Sequence, residues 1–312
     1  MNLALATLLS FAASEASRSQ DKPSAEKLSE ECGLTGVLTL TGSNKYYFRG
    51  IFQEDQGAIF EPALDLSLPL WIGDGKGDAL SKLCLTFGTW NSLHSGPSGS
   101  GGTAASSPQS WYESDFYAGL LACTPSGFSI SALWIDYTSP NGLFDAVSEL
   151  DLGVAFDDSK CWGGRSGSFG GLQPSFTLAF EAKNQADQNS APAATDKGTW
   201  LGLGIKPGFT CCDLCDCQGG DCASVPVTLS LPAHLGLSLG DYYEDASGHD
   251  ETFGFADVGA MASLPLPFVP GRFGAWTLSA SLQALFLGDS TEATNGGDSL
   301  EWLGTVTLAI GF

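Results

Sequence analysis

From Leu300 to Phe312 the chain alternates. Leu300, Trp302, Gly304, Val306, Leu308, Ile310 and Phe312 fall on one face of a two-residue repeat. Glu301, Leu303, Thr305, Thr307, Ala309 and Gly311 fall on the other. Successive side chains of an extended chain point to opposite faces, so this pattern predicts a strand. The pattern recurs upstream. "TGVLTLTGSNKYYFRG" sets Leu38, Leu40, Tyr46 and Phe48 against Thr39, Thr41, Ser43, Lys45 and Arg49. "FEPALDLSLPLW" sets Leu64, Leu66, Leu68 and Leu70 against Glu61, Asp65 and Ser67. "SWYESDFYAGLL" sets Tyr112, Phe116 and Leu120 against Glu113, Asp115 and Tyr117. "SELDLGVAF", "QPSFTLAFEAK", "TWLGLGIKPGF", "FGFADVGAMASLPL" and "AWTLSASLQALFL" behave alike, and "VPVTLSLPAHLGLSL" reads as one long strand. In all, about twelve such segments are separated by turn clusters.

A soluble β-sandwich would alternate in the same way, with one face buried and one wet. Three features favour a membrane barrel. The segments are long enough to cross a bilayer when tilted. Their number is even, as in bacterial outer-membrane barrels. Aromatic residues gather near segment ends (Tyr46-Tyr47-Phe48, Trp71, Trp90, Trp111, Tyr137, Tyr242 and Tyr243), where interfacial girdles are expected. The expected fold class is therefore all-β, an antiparallel transmembrane β-barrel of about twelve strands. With the N-terminus in the periplasm, the odd-numbered connections lie outside the cell. They are mostly polar and acidic, and most are long, while the even-numbered ones include the short "TPSG" and "FVPGR", with "DDSKCWGGRSGSFGG" and the Cys-rich connection as two long exceptions.

Composition agrees. Of 312 residues 43% are hydrophobic and only 15% charged, against about a quarter charged in soluble domains. A surface that does not face water accounts for the deficit, and a membrane protein without long apolar helices must close its strands into a barrel. The formal net charge of −22 argues against nucleic acid and anionic headgroups as partners and favours cations.

The stretch 1–16, "MNLALATLLSFAASEA", reads as a signal peptide with an apolar core and small residues near its end, although no Lys or Arg precedes the core. Residues 17–34 read as a polar periplasmic leader and 35–312 as an outer-membrane barrel. The final Phe312, on the lipid side of an alternating strand, resembles the C-terminal signal of bacterial outer-membrane proteins. That resemblance implies recognition by the barrel-assembly machinery, with outer-membrane lipid as the surround.

The first hairpin carries a family resemblance. "TGSNKYYFRGIFQEDQGAIFEPALDLSL" contains Ser43, Tyr46 or Tyr47, Phe48, Arg49, Gly50 and Ile51, followed by Gln53 and Gln56-Gly57. This resembles the opening of the TorF-type porin family, in which Ser-x-Tyr-x-Phe-Arg-Gly precedes an aliphatic residue and a short polar turn. The close match covers under a tenth of the chain, and the Cys-rich connection downstream is foreign to the family pattern. The resemblance implies an outer-membrane barrel of porin type, passing small solutes.

The inward faces supply the candidate chemistry. Glu61, Asp65, Glu113, Asp115, Glu149, Asp151, Glu181 and Asp257 face Lys45, Arg49, Lys82, Lys183 and Lys206. Opposed charged ladders of this kind can line a narrow pore and set ion selectivity. They can also pair and fill a closed lumen, since twelve strands fall between filled eight-strand barrels and open sixteen-strand porins. Arg49 is the leading single contributor, because its fork can hold two carboxylates. Excess acid predicts passive diffusion of small solutes with a cation preference. The alternative is a closed barrel acting as a structural or adhesive protein through its external loops.

"CCDLCDCQGGDC" brings together Cys211, Cys212, Cys215, Cys217 and Cys222 in a connection read as a turn. An oxidising compartment favours disulfides there. Cys212-x-x-Cys215 also has metal-ligand spacing, so a metal site is the alternative. The three His residues, His94, His234 and His249, sit in no catalytic motif. No phosphate loop, dinucleotide fingerprint or zinc-protease motif occurs, so neither enzymatic activity nor a cofactor is expected.

Overall fold

The computed structural model describes residues 33–74, 77–102, 106–162, 169–187, 196–218 and 221–312, with the side chains of 212–224 outside that description. The signal peptide and all but the end of the leader lie outside the described residues.

The wall begins with β1 (Thr35–Ser43) and, after a short hairpin of β2 (Tyr46–Phe48) and β3 (Ile51–Glu54), continues in β4 (Ile59–Ile72), β5 (Lys82–His94) and β6 (Trp111–Cys123). It then runs through β7 (Phe128–Thr138), β8 (Val147–Phe156), β9 (Ser175–Lys183) and β10 (Thr199–Ile205). A second hairpin of β11 (Gly208–Gln218) and β12 (Asp221–Ser230) follows. The wall resumes with β13 (Ala233–Gly240), β14 (Phe253–Pro265), β15 (Ala275–Leu287) and β16 (Leu300–Gly311), and α1 (Asp289–Thr294) lies between the last two. Neighbours pair antiparallel in the order β1-β4-β5-β6-β7-β8-β9-β10-β13-β14-β15-β16, and β16 returns to β1, so the twelve strands close.

Closure involves the last residue. Gly36 N–H donates to the Phe312 carbonyl at 2.8 Å and Phe312 N–H to the Gly36 carbonyl at 2.9 Å. The Phe312 ring lies over Gly36, where a Cβ would come within 2.7 Å of it. Only glycine lets the closing ring lie this close to the first strand.

The alternation behaves as a membrane wall requires. Leu120, Ile130, Trp134, Leu152, Leu282 and Val306 are exposed on the outer face. Glu113, Asp115, Ser131, Asp151 and Thr177 on the opposite face of the same sheet are buried. An apolar exterior around a polar interior inverts a soluble protein and suits a lipid surround. Twelve backbone ladders with no free edge satisfy their N–H and C=O groups within the wall.

Three sequence expectations need correction. The first strand stops at Ser43, and Tyr46 and Phe48 do not face outward. They belong to the β2–β3 hairpin, which folds into the lumen and buries Tyr46, Tyr47 and Phe48. The girdle is accordingly thinner than expected. Trp71 and Trp111 are exposed, whereas Trp90, Tyr137, Tyr242 and Tyr243 are buried inside. Their rings pack against the inward hairpin, which removes more apolar surface from water than the barrel wall alone could.

The third correction concerns 225–239. Its one alternation spans two strands, β12 and β13, broken at Leu231-Pro232. Both halves pair with β14, at Thr228–Ser230 and at Ala233–Leu237. Proline has no N–H to give the ladder, so the sheet breaks there and β12 turns away to pair with β11. The Cys-rich segment is therefore a paired ladder and not a turn: Cys217 lies opposite Cys222, and Cys215 opposite Ser224.

Candidate functional site

The barrel has two ends. The terminal end carries Thr35 and Phe312. The opposite end, the hairpin end, carries the connections after β1, β5, β7, β9, β13 and β15. The hairpin reaches inward from the hairpin end. Its loop is the two-residue turn Arg49-Gly50, with φ of 48° and 87°. Two positive φ values make the twist of a tight hairpin turn match that of its strands. Gly50 adopts this region at no cost, and a Cβ there would sit 2.9 Å from Phe255. Arg49 has no such freedom, and the left-handed conformation costs it about 1–2 kcal/mol.

Its side chain supplies the compensation. Arg49 Nη1 donates to Glu149 Oε1 at 3.0 Å and to the Tyr242 hydroxyl at 2.5 Å. Nη2 lies 2.9 Å from Glu149 Oε2 and 3.2 Å from Asp151 Oδ2. The guanidinium stacks over Trp200 at 4.2 Å from the ring centre. The side chain is 1% exposed. Tyr137 and Tyr242 hydroxyls also donate to Glu149, and Tyr243 donates to the Arg49 carbonyl at 2.8 Å. A planar fork is the one cationic side chain that can hold two carboxylates from neighbouring positions and lie flat on an indole at once.

Two further contacts fix the hairpin. Glu54, at its return, accepts from the Asp55 and Gln56 backbone N–H and from both the backbone and hydroxyl of Ser98. Burial would raise its pKa, but these hydrogen bonds, Ser98 first, outweigh it and hold Glu54 below the usual carboxylate value. On the opposite side, Tyr47 donates to Asn295 at 2.6 Å and Phe52 N–H to Thr294 at 3.3 Å, beside α1.

Ser98 continues into a chain. His94 Nδ1 lies 2.6 Å from Ser98 Oγ, and His94 Nε2 lies 2.6 Å from Ser92 Oγ. A serine, a histidine and a carboxylate in series resemble a hydrolytic relay. Here Ser92 is 0% exposed, and Tyr112 stacks on His94 at 4.5 Å. A nucleophile sealed in this way meets no substrate, so the chain serves as a latch between β5 and the hairpin.

The expected pore-lining residues fall into groups. Arg49, Glu149 and Asp151 form the hairpin anchor. Glu113 and Asp115 on β6, with Glu61 and Asp65 on β4, are buried inside. Tyr46 donates to Glu113 at 2.8 Å, and Tyr117 donates to Asp65. Among the described residues, no ion pair reaches these four acids. Glu181 accepts from the backbone of Ala186 and Gly198 at 2.6 and 2.7 Å, holding the connection after β9. Asp257 pairs with His234 at 2.8 Å. The bases scatter. Lys45 pairs with Glu301 at 2.5 Å at the hairpin end, Lys82 and Lys206 lie half-buried toward the terminal end, and Lys183 is exposed at the end of β9. Among the described residues the opposed ladders of acid and base do not form: Arg49 reaches Glu149 and Asp151, while Glu61, Asp65, Glu113 and Asp115 form no ion pair with a base.

Below the hairpin the inner wall changes character. Ser263, Ser279, Thr307 and Thr41 lie level with one another across β14, β15, β16 and β1. Ser263 and Ser279 are joined at 2.9 Å, and so are Thr41 and Thr307. Ser281 and Thr305 form a neighbouring pair at 2.7 Å. Apart from Thr41 these hydroxyls are half-exposed, giving a polar, water-compatible inner wall. Cys84 and Cys123 are buried on β5 and β6, and Cys161 and Cys211 are exposed. All four lie toward the terminal end. The side chains of Cys212, Cys215, Cys217 and Cys222, on which the choice between disulfide and metal depends, lie outside the described residues.

Sequence reasoning does not single out Glu54, Ser98 or Trp200, and it reads Tyr242 as a girdle aromatic where the structure places it inside. The pair Arg49-Gly50 flanked by "YYF" and "IF" is a hairpin signal that could have found the plug.

No family model matches the chain, and no curated protein matches it. Several solved membrane barrels are similar. The COG4313 outer membrane channel from Pseudomonas putida F1 is 11% identical over 89% of this chain and 95% of that one, with a TM-score of 0.43. The NanC porin is 9% identical over 88% and 98%, with a TM-score of 0.42. The outer membrane phospholipase OMPLA of Salmonella typhi, a dimer with bound calcium, is 12% identical over 89% and 90%, with a TM-score of 0.40. Channels and an enzyme stand at equal distance, so these similarities assign no activity. What the chain's own strand pairing establishes is a closed, antiparallel, twelve-strand transmembrane barrel.

Proposed function

We propose that the protein is a channel of the bacterial outer membrane that passes small solutes by diffusion and prefers cations. The observation that carries this reading is the charge balance of the interior. Glu61, Asp65, Glu113 and Asp115 are buried without an ion pair among the described residues, while the buried guanidinium of Arg49 is held by Glu149 and Asp151. A low-dielectric passage lined by one sign of charge concentrates the opposite ion. Membership of the TorF-type family belongs to this proposal and rests on the stretch from Ser43 to Ile51. In that light the Phe-Arg-Gly element is the tip of the lumen hairpin.

A second reading has its own support. The hairpin packs into aromatic clusters on both sides of the lumen, as a closed structural or adhesive barrel would require. The test is the reversal potential across a planar bilayer under a KCl gradient. A channel of this kind gives a cation-selective potential, and Glu113→Gln with Asp115→Asn moves it toward zero. A folded protein that carries no current favours the closed barrel.

A further inference from the structure

A cavity of about 430 Å³ opens at the hairpin end, between the hairpin and the surrounding connections. This is the size of a small-molecule site. Phe48, Phe52 and Phe144 supply apolar walls, and Glu113, Glu244 and Asp245 supply carboxylates. Among the described residues no Lys, Arg or His lines it. Glu244 is the informative member. It is 6% exposed, yet its Oε2 has no hydrogen-bond partner among the described residues. Burial first, and then the charges of Asp241, Asp196, Asp250 and Asp245, raise its pKa. A buried carboxylate with an open lone pair and four acids among its charged neighbours is costly unless a cation joins it.

We propose that this cavity binds a small organic cation, a protonated amine on an aromatic or aliphatic body, with Glu244 and Glu113 facing the ammonium and the phenylalanines enclosing the body. The inference rests on the channel reading and names the solute class its mouth selects. A bare metal ion suits the cavity less well. Three apolar rings would replace its oxygen ligands, and no group of three or more ligating side chains occurs among the described residues. An ammonium gains both from the carboxylates and from the faces of the rings.

The test is calorimetric titration of the purified barrel in detergent with tryptamine, its neutral counterpart tryptophol and its anionic counterpart indole-3-acetate. The expected result is saturable binding of tryptamine, with tryptophol weaker by about tenfold or more, as loss of a charge-assisted hydrogen bond implies, and no binding of indole-3-acetate. Glu244→Gln and Glu113→Gln should each weaken tryptamine by about tenfold on the same grounds. Heat-dependent gel mobility checks that both variants stay folded, and Glu244→Gln, on a connection outside the wall, keeps the test open if Glu113→Gln does not fold. Equal affinity for tryptamine and tryptophol, or unchanged tryptamine affinity in a folded Glu244→Gln variant, overturns the proposal. So does the absence of saturable tryptamine heat. Current without amine binding removes this site and leaves the channel, whereas amine binding to a silent barrel removes the channel.

Discussion

Arg49 occupies a backbone conformation that an arginine has no intrinsic reason to adopt, at φ 48°, and its side chain explains why it stays. Five groups converge on it: Glu149, Asp151, Tyr242, Trp200 and Phe48. Arg49→Ala strands two buried carboxylates, and breaking such a pair costs about 3–5 kcal/mol. The loss should appear as a lower midpoint of heat-dependent mobility on a gel. Arg49→Lys should recover only part of it, because an ammonium cannot bridge both acids and stack. An unchanged midpoint for Arg49→Ala would contradict the anchor. Glu54 gives a pH dependence with a definite sign. Its pKa is depressed in the fold, so its contribution is complete above the ordinary glutamate value and fades as pH falls through the lower one. Acid should therefore loosen the hairpin, making the open-channel current noisier. Glu54→Gln should show that noise at neutral pH, and a quiet Glu54→Gln current would remove the latch. The carboxylates of this site were legible because alternation put them all on one face. Their partners were not, since Trp200 and Tyr242 reach Arg49 from a strand and a connection far away in the chain, and the only local signal, an aromatic at a segment end, reads Tyr242 as a girdle residue.

Among the elements, the wall strands were legible and the two hairpins were not. Period-two alternation reports which face a residue takes, and on β15 Leu278, Leu282 and Phe286 are exposed while Ser279, Ser281 and Gln283 on the other face are half-buried. Neighbouring substitutions there test the membrane assignment. Leu282→Arg, on the outer face near mid-strand, should destabilise the barrel by about 2–4 kcal/mol, whereas Ser281→Arg, facing the lumen, should cost far less. Equal effects on the gel-shift midpoint would contradict the inside–outside assignment. The β2–β3 hairpin hid because Lys45 to Phe48 extends the alternation of β1 and its aromatics mimic a girdle. The β11–β12 hairpin hid because Val225 to Leu239 stays in phase across Leu231-Pro232, both halves lying along one partner strand. Pro232 was the available signal. Because β13 pairs with β10 directly, replacing residues 211–224 by a short turn should leave a barrel that still folds and shifts on heating. Failure to assemble would give the Cys-rich ladder a role in closure.

Over the whole molecule, a strongly acidic chain with formal net charge −22 encloses an acidic interior. Among the described residues one inward hairpin, β2–β3, divides the lumen. The half at the hairpin end is filled by aromatic packing around Arg49, and the half toward the terminal end is lined by half-exposed hydroxyls on β14, β15 and β16. In the proposed channel the hairpin sets how much passes. The most direct test is single-channel current through the wild type and through a variant in which residues 45–57 are replaced by a short turn, both reconstituted in planar bilayers. The account predicts small, cation-selective steps in the wild type and severalfold larger steps, still cation-selective, in the variant. Two folded barrels that are equally silent, or that conduct equally, would contradict it.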